Sequence, residues 1–292
     1  MQVAVYGRNF PSSARENIAS LFSKLHQHHA GIWVYEPFFE HLQANLGLRP
    51  EVEGFFHDHT DLPMQTEFLF SLGGDGTFLE TVHLVRDSGI PVLGVNIGRL
   101  GFLSYVSPEN LAESLDSMFR GGFDIEERML LQVSVSDRPD DPRNLALNEV
   151  RIYKNSGSLI TVHVRANDEF LSAYWADGLL LSTPTGSTAY NLSVGGPIVV
   201  PEMESMILSP IAPHNLTVRP LVLPDSSVLK LSVDTRDPQF QLAMDSRMID
   251  LDREATVTVR KAPFSLRMVR IENISFYSTL RNKLMWGADK RN

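Results

Sequence analysis

The stretch Glu67–Leu79, EFLFSLGGDGTFL, holds the change of pattern on which the fold turns. EFLFSL (67–72) has the length and apolar content of a buried strand. It runs straight into Gly73, Gly74, Asp75 and Gly76, and a helical pattern follows over 77–87. Strand, glycine turn and helix make half of a parallel βαβ unit, and the same alternation continues on both sides. Upstream, 2–6 (QVAVY) reads as a strand and 13–29 as a helix. There Ser13 and Glu16 have capping-box spacing, and Ile18, Leu21, Phe22 and Leu25 share one face. Residues 32–36 (IWVYE) give a second strand, and Gly47 ends the short helix after it. Downstream, 91–96 (PVLGVN) is a strand and 107–120 a helix, with Ser107 as cap and Pro108 in the first helical position. A doubly wound parallel α/β sheet is the expectation for 1–123.

From about residue 129 the period changes to two: LLQVSVS, NEVRIYK, ITVHVRA, LLLS, VLKLSVD, FQLAM and ATVTV, separated by Pro, Asp, Asn and Gly. This predicts an all-β, antiparallel, sandwich-like domain over 124–265. A last apolar stretch, LRMVRIENISFYSTL, lies in 266–292, a segment expected to return to the first domain.

Composition narrows the chemistry. The 292 residues suggest two domains at about 150 residues each. With no cysteine, thiolate nucleophiles, Cys-ligated zinc, iron–sulfur clusters and disulfides are excluded. Against 26 Lys and Arg stand 35 Asp and Glu, a net charge of −9, which speaks against a nucleic-acid partner because counterion release needs clustered cations. No run approaches the ~20 apolar residues that span a bilayer, and MQVAVYGRNF lacks a basic signal region. The expectation is a cytoplasmic protein with no membrane partner.

Glycines let backbone N–H groups converge, and the helix that follows adds its positive end, so the loop at 73–76 suits phosphate. Asp75 is the incongruous member. A carboxylate there repels an anion unless it binds a metal or accepts a proton from a substrate hydroxyl. The alternative for GGDG alone is a tight βα turn with an Asp cap. The loop is neither a Walker A sequence nor a GxGxxG fingerprint.

A second segment, ADGLLLSTPTGSTAYNLSVGGP (176–197), has five hydroxyl residues among the seven from Ser182 to Thr188, then Tyr190 and the pair Gly195 and Gly196. It offers hydroxyl donors and an aromatic ring able to stack on a base. A Ser/Thr-rich turn capping a helix is the alternative. Asn148 and Glu149 interrupt an apolar strand. An Asn amide can bond a base or sugar edge, and a Glu carboxylate can accept from vicinal ribose hydroxyls; a strand-end turn is the alternative.

Taken in order, GGDGTFL (73–79), GRLGFLS (98–104), ALNEV (146–150), the 176–197 segment and PHNLTVRPLVLP (213–224) resemble the bacterial NAD kinase family, over nearly the whole chain. The resemblance implies transfer of the γ-phosphoryl of ATP to the 2′-hydroxyl of the adenosine ribose of NAD. It also implies a Rossmann-like α/β domain plus the β-rich domain, a site in the crevice between them, and assembly as a homodimer or homotetramer. Carried over by motif, Asp75 is the general base, with Gly73, Gly74 and Gly76 close to phosphate and Phe102 packing on the ligand. Asn148 and Glu149 hold the ribose and adenine of NAD, and Asp177 faces the nicotinamide end. Thr185, Thr188, Ala189, Tyr190, Asn191, Leu192 and Ser193 belong to the dinucleotide groove, and Ala212 and Asp245 match positions near the subunit interface. Trp175 replaces a common arginine, which leaves the preference between NAD and NADH open.

A ribose hydroxyl is a poor nucleophile at neutral pH, so a base within about 2.6–3.2 Å is required. Magnesium bridges phosphates and keeps most of its waters, so it is expected to bind mainly through ATP, with no metal site built from protein residues. The negative total leaves capture of anionic substrates to loop amides, helix ends and Arg99. His26, His28 and His29, with His57 and His59, are a conceivable metal cluster, but helix-end and surface histidines are far commoner. The triplets at Asn191, Asn215 and Asn273 match a glycosylation sequon, a chance match in a chain with no secretion signal. Two alternatives remain: a lipid kinase of the same superfamily, which shares GGDG, and a non-catalytic NAD(P)-binding sensor.

Overall fold

The computed structural model describes residues 1–98, 101–136, 138–155, 157–271 and 275–285. Two compact units emerge: Met1–Glu127 with the described residues from Leu266 onward, and Arg128–Ser265.

The first run of the chain gives β1 (Gln2–Gly7), α1 (Arg15–Gln27), β2 (Gly31–Tyr35), α2 (Glu36–Leu46) and β3 (Gly54–Phe56). There follow β4 (Thr66–Leu72), α3 (Asp75–Val85), β5 (Val92–Val95), α4 (Leu111–Phe119) and β6 (Phe123–Arg128). The β-rich unit contains β7 (Leu131–Val135), β8 (Leu145–Ala146), β9 (Glu149–Tyr153), β10 (Ile160–Ala166), β11 (Glu169–Ala176), β12 (Gly178–Ser182) and the one-turn α5 (Tyr190–Ser193). It continues through β13 (Ser205–Ile211), β14 (Leu221–Pro224), β15 (Leu229–Asp234), β16 (Gln239–Met244), β17 (Arg247–Asp252) and β18 (Thr256–Lys261). The tail supplies β19 (Leu266–Ile271) and α6 (Phe276–Leu284).

The seven-stranded sheet runs β3-β2-β1-β4-β5-β19-β6. β1 pairs in parallel with β2 on one side and β4 on the other, with Gly7 opposite Leu72. The strand order therefore reverses between β1 and β4. In open α/β sheets ligands collect outside the carboxyl ends at such a switch point, and Gly73 is the next residue of β4. The sheet is held by a core in which Val3, Val5, Phe70, Leu72, Leu93 and Val95 meet α1, α2 and α4. All four apolar residues expected on the buried face of α1 are in it, each stabilising by roughly 1.5–3 kcal/mol through burial. The tail enters this sheet, Met268 lying opposite Val92 in parallel register.

Helix starts differ from the sequence reading. The chain passes Pro11 into a 3-10 turn at Ser12–Ala14, so Ser13 lies inside that turn, and α1 begins at Arg15 with no side-chain cap bond. α4 likewise follows a 3-10 turn, Pro108–Asn110; Ser107 stands in the cap position of that turn with Pro108 first, as read, but Ser107 makes no cap bond. α3 begins at Asp75, two residues before the expected start. Glycine weakens helix propensity, and local pattern gave no reason to extend the helix through Gly76.

The β-rich unit contains two antiparallel sheets, β11-β10-β15-β18-β7-β8 and β14-β13-β12-β9-β16-β17. Val133, Val162, Val164, Leu231 and Val257 from the first share one core with Val150, Ile152, Leu181, Leu208 and Phe240 from the second, a sandwich. β15 alternates buried and exposed at every step, whereas β13 is buried throughout and shows no such alternation. That is why period-two reading found the former and passed over the latter. Among the described residues no helix is long and apolar enough to cross a membrane.

Candidate active site

In the α/β unit the glycine loop forms at the switch point. Gly73 has φ 143°, in a region that L side chains rarely adopt, and its N–H donates to the Val95 carbonyl at 2.9 Å. Gly74 caps α3, its carbonyl accepting from the amides of Thr77 at 3.1 Å and Phe78 at 3.2 Å. A Cβ at Gly74 or Gly76 would meet nothing within 4 Å, so both face open space. A cavity of about 290 Å³ opens at Gly74, its walls including Gly73, Asn96, Gly98, Phe10, Pro11 and Ser13. The first N–H groups of a helix have no partner within it, so the start of α3 offers donors for an anion there.

Asp75, the first residue of α3, is held by two amides. Phe102 N–H donates to Oδ2 at 2.8 Å and Leu103 N–H to Oδ1 at 2.9 Å. Each oxygen retains a lone pair for a substrate proton, while the two bonds fix the plane of the carboxylate. Phe102 and Leu103 thus position Asp75 through their amides, and Phe102 is half-buried. Lys283 of α6 places Nζ 5.0 Å from that ring, and no local motif pointed to it. Arg99 lies outside the described residues.

In the β-rich unit Asp245 organises the second group. Its backbone is in the left-handed region, φ 49°, and the residue is 9% exposed. Its carboxylate accepts from three consecutive amides, Leu147 at 2.7 Å, Asn148 at 2.9 Å and Glu149 at 2.9 Å. Burial pushes Asp245 up to about 6, and those amides hold it from going further. The resemblance groups Asp245 with positions near the subunit interface; within this chain its carboxylate shapes the start of β9.

That start presents Asn148, half-exposed, and Glu149, 6% exposed with Oε2 buried and without a hydrogen-bond partner. Burial first, and Asp245 second, push Glu149 up to about 7, against the pull of Arg151. Arg151 donates from Nη2 to the Asp245 carbonyl at 2.8 Å and lies 5.4 Å from the Tyr190 ring and 5.6 Å from that of Tyr153.

The hydroxyl-rich turn locks onto the same strand end. Thr183 N–H donates to the Asn148 carbonyl at 2.9 Å, and Thr183 Oγ1 donates to the Leu147 carbonyl at 2.5 Å. A Cβ at Gly186 would come 2.1 Å from the Asn148 carbonyl oxygen, so only glycine fits that approach. Thr185 is buried, while Thr188, Ala189, Tyr190 and Leu192 are half-buried and Ser193 is exposed. Asn191 is fully buried and acts as a clamp: Nδ2 donates to the Pro197 carbonyl at 3.1 Å and Oδ1 accepts from Ser209 Oγ at 2.7 Å.

Asp177 stands apart from Glu149. Ser182 pairs with Glu149 and Gly178 with Tyr153, so the length of β12, about 13 Å at ~3.3 Å per residue, separates their ends. Asp177 forms an ion pair with Lys154, a residue the sequence reading missed. Trp175 is 52% exposed with its ring 4.6 Å from that of His214, and Ala212, exposed with φ 46°, follows β13 nearby in sequence.

Four of the five histidines have side-chain partners. His26 Nε2 lies 2.8 Å from the Glu51 carbonyl, and His28 pairs with Asp116 at 2.9 Å. His57 bonds Asp61 and Glu36, and His59 Nε2 lies 2.6 Å from Arg86. Asn273 lies outside the described residues.

Comparison with known proteins joins these observations. Residues 14–123 match the ATP-NAD kinase N-terminal domain family and residues 147–271 the ATP-NAD kinase C-terminal domain family. The chain is 42% identical to an NAD kinase of Flavobacterium psychrophilum over 295 aligned positions and 39% identical to one of Bacteroides fragilis over 292, covering 100% of both chains in each case. Among solved structures it resembles the yeast NADH kinase complexed with NADH, with a TM-score of 0.84 and 26% identity over 99% of this chain and 89% of that one. It shares its fold with an NAD kinase from Archaeoglobus fulgidus in complex with ATP, with a TM-score of 0.74 and 24% identity over 98% and 99%. With both domain families matched and relatives this similar along their whole length, the chain belongs to the NAD kinase family of phosphotransferases.

Proposed function

We propose that this chain transfers the γ-phosphoryl of ATP to the 2′-hydroxyl of the adenosine ribose of NAD, giving NADP and ADP, with Asp75 as general base. The observation that carries the reading is a carboxylate pinned by the amides of Phe102 and Leu103 at the start of α3, beside a glycine-lined cavity. Asp75 takes the hydroxyl proton as the ribose oxygen attacks the γ-phosphorus and the bond to the β-phosphate oxygen breaks. The loop amides at 74–76 hold phosphate, with Gly73 close to it. Asn148 and Glu149 address the ribose and adenine of NAD, and the Tyr190 ring offers a face to the base. Thr185, Thr188, Ala189, Leu192 and Ser193 belong to the same surface in this reading, with Asn191 supporting them from beneath. Asp177 and Trp175 address the nicotinamide end.

A divalent cation, magnesium, belongs to this proposal as a partner of the ATP phosphates. The only carboxylate of the loop already receives two amides, and among the described residues no three His, Asp or Glu gather as a metal-binding group. When bound, the ion neutralises phosphate charge. A homodimer or homotetramer and a cytoplasmic setting complete the reading; light scattering on the purified chain checks the assembly.

Purified protein incubated with NAD, ATP and Mg²⁺ should yield NADP. Asp75→Asn should lower kcat by orders of magnitude and leave NAD binding measurable, and near-normal turnover would remove the assigned role. Tight NAD binding with no product would favour the sensor, and phosphorylation of diacylglycerol the lipid kinase.

A further inference from the structure

The seven-stranded sheet carries another cavity at the amino ends of its strands. About 660 Å³ in volume, within the range of small-molecule sites, it lies around the starts of β4 and β5 and the end of α3, with Thr66, Phe68, Leu84, Arg86, Pro91 and Arg267 among its walls. Gly73 follows the far end of β4, so the length of that strand, about 20 Å at ~3.3 Å per residue, separates this cavity from the glycine loop. The phosphoryl-transfer reading makes no use of it.

Three observations mark the cavity as more than a packing gap. Arg86, the residue at which α3 stops, has φ 42° and ψ −124°, a strained conformation that persists only where the surroundings fix it. Its Nη1 donates to His59 Nε2 at 2.6 Å, whereas Nε is buried with no acceptor, and among the described residues no carboxylate pairs with the guanidinium. Thr66, 7% exposed, buries a hydroxyl that also has no partner, although its backbone N–H donates to the Pro63 carbonyl at 3.0 Å. Buried donors are nearly always paired, so two unpaired ones on residues lining one cavity call for an acceptor.

Charge and surface decide which acceptor. The carboxyl end of α3 carries about half a negative charge, which alone would repel an anion. Arg86 outweighs it, and Arg267, anchored through Nη1 to the Gly89 carbonyl at 3.1 Å, adds a second full charge to the same walls. Of the acids lining the cavity, Glu67 is engaged by the Gln2 N–H at 3.1 Å and by the Met1 ammonium at 3.7 Å, and Asp87 is exposed to solvent. Leu62, Phe68, Leu84 and Pro91 give the remaining wall an apolar face. A bare polyphosphate would leave that face uncovered, and a neutral apolar molecule would leave the guanidinium unpaired.

We propose that this cavity binds a monocarboxylate with an apolar body, its carboxylate accepting from Arg86 and from the Thr66 hydroxyl while its body lies against Phe68, Leu84 and Pro91. The assignment is independent of the phosphoryl-transfer reading.

Calorimetric titration of 4-phenylbutyrate into the full chain, beside its uncharged counterpart 4-phenyl-1-butanol, tests this. The acid should bind about 10-fold tighter than the alcohol or better, as expected of a charge-assisted pair. Arg86→Gln should remove that difference. Thr66→Val, which keeps the shape and loses the hydroxyl, should weaken the acid roughly 3-fold and leave the alcohol unchanged. Thermal midpoints on the same samples identify a variant that fails to fold, and Thr66→Val carries the test if Arg86→Gln does. NAD and MgATP affinities at saturating acid should stay within about 2-fold of their values without it. No binding of the acid by the parent, equal binding of acid and alcohol, or unchanged acid affinity in both variants overturns the proposal. Displacement of NAD or MgATP by the acid overturns it too, because the ligand would then lie in the catalytic groove.

Discussion

Gly101 and Asp75 are tied by volume: a Cβ at Gly101 would lie 1.8 Å from Asp75 Oδ1. The absence of a side chain lets the next two amides close on the carboxylate. Gly101→Ala must push Asp75 off these donors or lift the loop. Because misplacement of a catalytic group by about 1 Å costs on the order of 100-fold, kcat should fall at least that far. NAD affinity should change less than 3-fold, which steady-state kinetics and calorimetry together would verify.

Asp245→Asn replaces a two-oxygen acceptor with one oxygen and an NH₂ group turned toward backbone donors. At least one of the three amides at 147–149 loses its partner in a buried place, a cost of about 2–3 kcal/mol. Thermal unfolding should shift down by roughly 5–10 °C. NAD should bind more weakly too, because the strand end presenting Asn148 and Glu149 relaxes.

Glu149 should make both stability and binding depend on pH, in opposite directions. The fold raises its pKa from the ordinary value of 4.5 to about 7, so the buried neutral acid is favoured. Its contribution to stability is whole below about 4.5 and is lost as pH rises to about 7, by roughly 1.4 kcal/mol per pH unit. Denaturation of the parent should show this decline relative to Glu149→Gln, a comparison that also separates it from Asp245. The ionised form offers both oxygens as charged, stronger acceptors to the two ribose hydroxyls, so KM for NAD should fall between pH 6 and 8. In Glu149→Gln that trend should flatten.

Gly186→Ala drives a methyl group into the Asn148 carbonyl, where a Cβ would stand 2.1 Å from the oxygen. Backbone on both sides leaves little room to yield. A loss of about 3 kcal/mol or more, as for severe core overpacking, is expected in chemical denaturation, with NAD binding lost in parallel.

The α/β alternation, the buried face of α1 and most strands of the second half were legible because hydrophobic period is a local property. β11, β13, β14 and β17 were not: β13 is buried on both faces and β14 is short and mostly exposed. Helix starts were misread where a 3-10 turn displaced a capping residue, since Ser13 at the right spacing does not specify which turn it enters.

By itself the sequence determined the alternation of strands and helices in the first half, the β character of the second, the exclusion of thiol chemistry and the motifs that place the chain in its family, all of which depend on neighbouring residues and residue counts. Only the tertiary structure decided what holds the carboxylates. Asp75 is gripped from 27 and 28 residues away, and Asp245 binds amides up to 98 residues earlier. Such partners are set by strand order and close backbone approach, which no local pattern encodes. The structure likewise turned Gly101 and Gly186 from motif letters into volumes.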